Sequence, residues 1–440
     1  MKNIQKYILL KTSLLGLFIA IAFTGCQSKE IPSPVELTDD GTWCWFSDPR
    51  AIYDDVTNKL VTGYVSSDGN ILSMQYDLRT GEKNQIILYE GLEADDHDNP
   101  AFLKRADGYY QAFYTKHHNI NLYSNMSMSP NDASEWGNAI VINPNGKPGI
   151  EKYGDDKYTY ANPFMLKNEN NRIYMFGRWI GFKPNITWSD DGGNTWADGR
   201  VMICPQPFTW IQRPYVKYYS NGESKIHIVF TDGHPRDEPT NSVYYVCYYN
   251  GAFHRANGEA ICSIDSLPFE PKEATLVYDA KQTGARAWVY DVYADEKGNP
   301  SIAYARYPTE EEHIYHYAWF DGEAWHDKEV VNSGKWFPQT PEGEKEREPH
   351  YSGGLTIDPN HENTLFVSRE VNGIFEIEQW KLIGDKWETK PITVHSATDQ
   401  VRPYAVKNCS SETLLLWDSV EHYIHYTDFK TATMLARIPD

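Results

Sequence analysis

Between residues 95 and 179 the chain sets His97 in Asp95-Asp96-His97-Asp98-Asn99-Pro100, the pair His117-His118, Tyr160 in Tyr158-Thr159-Tyr160-Ala161-Asn162-Pro163, and Arg178 in Phe176-Gly177-Arg178-Trp179. These are the groups that removing a proton beside a carboxylate requires. An imidazole is a base near neutral pH, a phenol protonates a departing oxygen, and a guanidinium neutralises the carboxylate while carbanion character develops next to it. Uronic-acid polysaccharides are cleaved by this chemistry, as β-elimination. Each residue taken singly also has a structural reading: His97 as a loop residue bonded to its aspartates, and Arg178 as a packed arginine between Gly177 and Trp179.

The elements that would position these groups are strands. Ile186-Thr187-Trp188-Ser189-Asp190-Asp191-Gly192-Gly193-Asn194-Thr195-Trp196 matches the Asp-box pattern Ser-x-Asp-x-Gly-x-Thr-Trp. In such a turn an Asp carboxylate caps backbone N–H groups, glycine takes the left-handed position and Trp packs between neighbouring sheets. Degenerate versions recur at Tyr76 to Gly81, Ser127 to Trp136, Tyr249 to Phe253, Phe320 to Trp325, Gly384 to Trp387 and Tyr426 to Phe429. With the intact box these make seven turns, spaced by roughly forty to seventy residues, enough for four short strands each. Alternating or aromatic-rich runs such as Ile226 to Phe230, Ser301 to Tyr307 and Thr364 to Ser368 lie between them, and amphipathic helical stretches are scarce. The expected fold is all-β, a single seven-bladed β-propeller over residues 37–440, closed so that its sheet edges are covered. A pair of β-sandwiches would explain the strands without the repeated turn.

The N-terminus reads as an export signal: Met1-Lys2-Asn3-Ile4-Gln5-Lys6 is basic, the run from Leu14 to Phe23 is apolar, and Thr24-Gly25-Cys26 is a small-residue cleavage site. Residues 1–25 are then a signal peptide ending in a lipobox-like sequence, Cys26 is lipidated, and residues 26–36 form a tether. The expected location is the outer membrane, cell surface or periplasm, with the membrane contacted only through that lipid. The formal charge of −20 deepens when the signal takes its lysines with it, which excludes nucleic acid as a natural partner. An acidic glycan would need a local basic cleft, for which Lys116-His117-His118 and Arg178 are the candidates. A composition of 14% aromatic residues suits sugar stacking and large sheet cores alike. The odd set Cys44, Cys204, Cys247, Cys262 and Cys409 argues against a disulfide framework. A monomer is expected.

Several segments resemble the BNR-repeat propellers that include the ulvan lyases and a related group of rhamnosidases acting on rhamnose linked to glucuronate. They are Trp43-Cys44-Trp45-Phe46-Ser47-Asp48-Pro49-Arg50-Ala51-Ile52, Asp95 to Pro100, Tyr160-Ala161-Asn162-Pro163, Arg213-Pro214-Tyr215-Val216-Lys217-Tyr218, Phe230-Thr231-Asp232-Gly233-His234-Pro235, Tyr351-Ser352-Gly353-Gly354 and Arg402-Pro403-Tyr404. The resemblance implies a polysaccharide lyase needing no catalytic cofactor. His97 and Tyr160 would serve as base and acid, or Tyr160 as both, with Arg178 and His117 at the uronate carboxylate. Tyr215, Arg213 and His118 would contact the sugar. It also implies a structural zinc, for which His234, Cys247, His254 and Cys262, or Cys204, would be donors; the alternative is buried cysteines and surface histidines. The rhamnosidases resemble the chain less, since Ser47 stands where they carry an imidazole, on the opposite propeller face. Trp43, Trp45 and Arg50 are expected to form the core of the first blade. The remaining alternative is a glycan-binding propeller without catalysis.

Overall fold

Strands dominate because most segments are short, rich in β-branched and aromatic residues, and bounded by tight turns. Ile226–Thr231 is buried along its whole length, as a strand covered by sheets on both faces must be, whereas the outer Lys83–Tyr89 alternates between exposed and covered positions. The computed structural model describes residues 32–335 and 353–439. The signal, Cys26, Tyr351 and Ser352 lie outside them. No helix of the described residues is long and apolar enough to cross a membrane.

Seven antiparallel sheets follow one another as the blades of a propeller. Blade 1 runs from Ala51–Asp54 to Lys83–Tyr89, blade 2 from Ala101–Lys104 to Ile140–Val141, and blade 3 from Asp156–Leu166 to Arg200–Val201. Blade 4 starts at Val216–Ser220 and carries extra strands to Thr275–Tyr278. Blade 5 spans Arg286–Ala294 to Trp325–Asn332, and blade 6 spans Leu355–Ile357 to Lys386–Pro391. Blade 7 has only three strands from the C-terminal end, Asp399–Ala405, Thr413–His425 and Asp428–Ile438. Its fourth is Val35–Thr38, which pairs Val35 with Leu435 and Glu36 with Met434. Val35 and Glu36, assigned above to the tether, are therefore part of the blade that closes the ring.

In an antiparallel blade the turns alternate between faces. Entry loops and second-to-third turns share one face, and third-to-fourth turns share the other. Six of the seven repeated turns join third to fourth strands. The intact box shows why: Asp191 accepts from the N–H groups of Asn194 (3.0 Å) and Thr195 (2.8 Å), and Trp196 packs edge-on against Phe113 of blade 2. The turn at Tyr426 to Phe429 differs, because the borrowed strand shifts blade 7 by one, so this turn lies on the opposite face beside the cleft described below.

Residues 42–48 lie at the middle of the ring, bending at 45–47, and side chains from four blades hold their backbone. Asn99 Oδ1 accepts from Cys44 N–H (3.1 Å) and Asn162 Oδ1 accepts from Asp48 N–H (2.9 Å). Arg402 donates to the Trp43 carbonyl, and Lys217 to the Trp45 carbonyl and the Asp48 carboxylate. Trp43 packs with residues of blades 1 and 7 as expected. Trp45 does not belong to the blade 1 core: its ring meets Tyr290 of blade 5 at 4.9 Å, and a Cβ on Gly354 would lie 2.2 Å from it. Arg50 bonds Asp48 and stacks on Tyr404 of blade 7. Asn162→Ala leaves the Asp48 N–H buried without its acceptor, at a cost of about 1–3 kcal/mol. The expected outcome is a lower urea midpoint; an unchanged midpoint would show that this stitch contributes nothing.

Candidate active site

A cavity of about 150 Å³ opens on the face of the entry loops and second-to-third turns, lined by Trp45, Phe46, His97, His117, Tyr160, Arg178, Phe182, Arg213, Tyr215, His234 and Trp288 among others. Blade 2 contributes the imidazoles. Asp95 caps the short helical turn Asp96–Asp98 by accepting from His97 N–H at 2.9 Å, which fixes the backbone that carries the His97 ring. The same carboxylate holds both rings: Oδ1 lies 2.6 Å from His97 Nδ1 and Oδ2 lies 3.0 Å from His117 Nδ1. The rings stack with centroids 4.0 Å apart and planes 13° from parallel.

Two imidazoles that close cannot both be charged. Burial opposes a charge on His97, but Asp95 overrides it, aided by Asp96 Oδ1 at 3.1 Å, and the His97 pKa stands well above the ordinary value. Burial and the His97 charge together push His117 down to about 4. Asp95 stays ionised, since the two imidazoles outweigh its burial. His97 is thus a cation at neutral pH and His117 is neutral, so the proton-accepting role expected of His97 is met by a group that already carries its proton.

Blade 3 contributes Tyr160 and Arg178 through a β-bulge. Thr159 pairs with Arg178 and Asn162 with Phe176, so Tyr160 is the extra residue, at φ 67°, and its ring turns into the cleft. The bulge needs Gly177 opposite it, where a Cβ would lie 2.6 Å from the Tyr160 carbonyl. Arg178 is 4% exposed, sits over the rings of Phe182 (4.1 Å), Tyr160 (5.0 Å) and Tyr215 (5.3 Å), and its Nε and Nη1 have no acceptor. Phe182 also has positive φ, 59°, in a turn closed by Lys183 N–H to the Ile180 carbonyl. Left-handed backbone costs such a residue about 1–2 kcal/mol, a strain of the kind found at functional sites.

The two phenols differ. Burial, reinforced by Tyr215, holds Tyr160 well above the usual phenol range. Burial pushes Tyr215 up too, but the Arg178 and Arg213 guanidiniums override it and bring it down to about 8. Arg213 lines the cleft with its Nη1 on Asp237 at 3.0 Å. The basic cleft is therefore built from His97, Arg178, Arg213, Arg236 and Arg402, and Lys116 is not among its lining residues.

His118 does not line the cavity. It packs edge-on against Phe182 and points Nε2 at Asp155, 3.5 Å away. The proposed zinc donors do not gather either. His234 stands in the cleft between Tyr215 and Trp288, with burial and the neighbouring arginines keeping it neutral. Cys247 and His254 are paired on adjacent strands of blade 4, while Cys262, opposite Phe253, packs on the other face of the blade from Cys247. Cys204 lies in a separate cluster. Among the described residues the one group of three His, Cys, Asp or Glu donors within 4.8 Å of one another is Asp95, His97 and His117. As placed, His234, Cys247, His254, Cys262 and Cys204 do not come together around a tetrahedral zinc.

Blade 7 supplies residues that sequence reasoning missed. Arg402, at φ 58° in another bulge, pairs with Asp96 at 2.8 Å, and Tyr423 donates to the same carboxylate at 2.5 Å. Tyr426 accepts the Asp96 N–H on its carbonyl and sets its ring edge-on to His97 and His117. The Arg402-Pro403-Tyr404 motif was visible, but nothing local ties it to a residue 306 positions away.

Residues 61–333 match the BNR repeat-containing family. No curated protein matches the chain. A polysaccharide lyase family 25 ulvan lyase, bound to -[GlcA(1-4)Rha3S]-, superposes with a TM-score of 0.62 at 16% identity, covering 92% of this chain and 96% of that one. The polysaccharide lyase Uly1 gives 0.62 at 12% identity, over 93% and 99% of the two chains. The lectin BP39L from Burkholderia pseudomallei gives 0.50 at 12% identity, over 85% and 94%.

Asp95→Asn removes the charge that holds His97 protonated. The expected result is a fall of the His97 pKa toward its ordinary value and a rise for His117, read from imidazole NMR titration. Unchanged titration of both rings would show that Asp95 does not divide the charge between them.

Proposed function

We propose that this chain, which belongs to the BNR repeat-containing family, is a polysaccharide lyase cleaving the bond to a uronic acid by β-elimination. One observation carries the reading: Arg178 is a buried cation whose Nε and Nη1 have no acceptor, and it lines the cleft together with two phenols and two imidazoles. A buried guanidinium without a carboxylate is costly. A uronate would supply the missing anion.

In this reading Arg178 and protonated His97 take the sugar carboxylate and so acidify the C5 proton. Tyr215, whose phenolate the two arginines stabilise, accepts that proton. The electron pair forms the C4=C5 double bond as the C4–O bond breaks, and the Tyr160 hydroxyl donates its proton to the departing oxygen. Neutral His117 hydrogen-bonds a ring hydroxyl. The products are an unsaturated uronate and a new hydroxyl end. Ulvan or a related rhamnose–glucuronate glycan is the substrate the lyase neighbours suggest. Export as a Cys26-anchored lipoprotein would bring the enzyme to such a polymer, acting as a monomer.

The second reading, a binding propeller without catalysis, is favoured by the small cavity and the lectin's similar fold. The rhamnose hydrolase reading lacks support, since Ser47 is buried in the central segment and brings no imidazole.

Incubation with ulvan should yield the ultraviolet absorbance of a conjugated carboxylate. Arg178→Ala, Tyr215→Phe and Tyr160→Phe should each lower its rate by about 10²–10⁴-fold with folding intact. Full activity in Arg178→Ala would defeat the assignment, and binding without any product would favour the second reading. The base must be ionised, so kcat/KM should rise with pH through about 8, and then fall at a higher pH where His97 loses its proton. Arg213→Gln removes one of the two cations that depress Tyr215, so the rising limb should move to higher pH. A limb that stays in place would exclude Tyr215 as the base.

A further inference from the structure

Phe182 lines the cavity, and Trp210, which does not, packs against it. Trp210 lies with its ring 6.0 Å from Phe182 and 36° from parallel to it, and is 45% exposed; Ile211 beside it is 63% exposed. No other tryptophan or phenylalanine among the described residues is exposed to this degree. The loop that carries them is not loose. Buried Lys183 donates to the Thr209 carbonyl at 2.6 Å, Gln212 N–H bonds Thr209 Oγ1 at 3.2 Å, and Arg213 donates to the Ile211 carbonyl at 3.2 Å while also holding Asp237. Phe208 anchors the loop on Tyr153 at 5.2 Å. An indole is thus held in water by a braced loop, next to a strained phenylalanine that also covers Arg178.

The cavity of about 150 Å³ is small against pockets that hold drug-sized ligands, which begin near roughly 300 Å³. It suits a single sugar ring, so in a polymer the adjoining ring has to lie outside it. The surface continuous with the cavity wall through Phe182 is the Trp210 and Ile211 patch. Flat, rigid aromatic side chains bury much area for little conformational entropy, and they suit the C–H face of a pyranose.

We propose that Trp210 and Ile211 form a second subsite, where the indole stacks on the sugar next to the uronate, a pyranose of the deoxyhexose kind whose methyl group gives Ile211 an apolar partner. The proposal rests on the uronate reading of the cleft, and assigns the neighbouring ring rather than the reacting one. Arg213 links the two subsites, since it lines the cavity and also braces the Ile211 carbonyl.

The test is calorimetric binding of free glucuronate and of a rhamnose–glucuronate tetrasaccharide to the full chain and to Trp210→Ala, with Trp210→Tyr as the conservative variant. Trp210→Ala should weaken tetrasaccharide binding by about 10-fold and leave glucuronate within about 2-fold, and Trp210→Tyr should restore most of the loss. Undiminished tetrasaccharide affinity in Trp210→Ala, with the parent binding normally, overturns the subsite and leaves the uronate reading intact. A parent that binds neither probe overturns both. A parent that binds both probes but forms no unsaturated product removes the lyase reading and leaves the subsite standing. If the parent dimerises by sedimentation and Trp210→Ala does not, with equal tetrasaccharide affinities, the patch is a protein contact and the proposal fails.

Discussion

The backbone of residues 42–48 passes through the centre of the ring, where water cannot satisfy it, and this constraint organises much of the rest. A peptide unit left unpaired there would cost as much as a lost buried hydrogen bond. Asn99, Asn162, Lys217 and Arg402 supply the partners, from blades 2, 3, 4 and 7. Three of these side chains follow a cleft group closely, Asn99 after His97, Asn162 after Tyr160 and Lys217 after Tyr215, and Arg402 lines the cleft itself. The bonds that fill the channel therefore also help to place the cleft side chains. Phe46, on the same segment, packs against Tyr160, Tyr215 and Trp288 and forms the floor of the cleft.

Charge is arranged with comparable economy. The chain is strongly acidic, yet its cleft gathers His97, Arg178, Arg213, Arg236 and Arg402. Asp95 touches both stacked imidazoles, Asp96 Oδ1 adds its charge at His97 alone, and Asp96 Oδ2 pairs with Arg402 across the closure of the ring. Removing one partner of such a buried pair costs about 3–5 kcal/mol, so the last blade and the His97 turn are energetically joined. Arg178 is the exception. It rests on aromatic faces, and its Nε and Nη1 have no acceptor.

Three residues with positive φ, Tyr160, Phe182 and Arg402, bear on the same cleft. Bulges that re-aim a side chain are a recurrent device at the rims of closed sheets. Here they turn Tyr160 inward and bring Arg402 to Asp96. Such bulges leave little trace in local sequence: Gly177 opposite Tyr160 is the one local sign, and it reads equally well as an ordinary strand glycine.

What was legible in the sequence was periodic or local. The recurring turn chemistry, with strands between, marks six of the seven blades, because those bonds form within a few residues; the seventh turn sits elsewhere in its blade because the N-terminal strand completes that sheet. His97, Tyr160, Arg178, His117, Tyr215 and Arg213 were identifiable as residue types in recurring motifs, and the structure brings all six to one cavity. Position and protonation were decided only by the tertiary structure. That His234 belongs to the cleft and not beside Cys247, that His118 stays outside, that Val35–Thr38 completes the last blade, and that His97 carries the proton while Tyr215 is the more acidic phenol all depend on contacts between distant blades. Through-space charge, burial and ring closure act over distances in space, and nothing in local residue spacing encodes them.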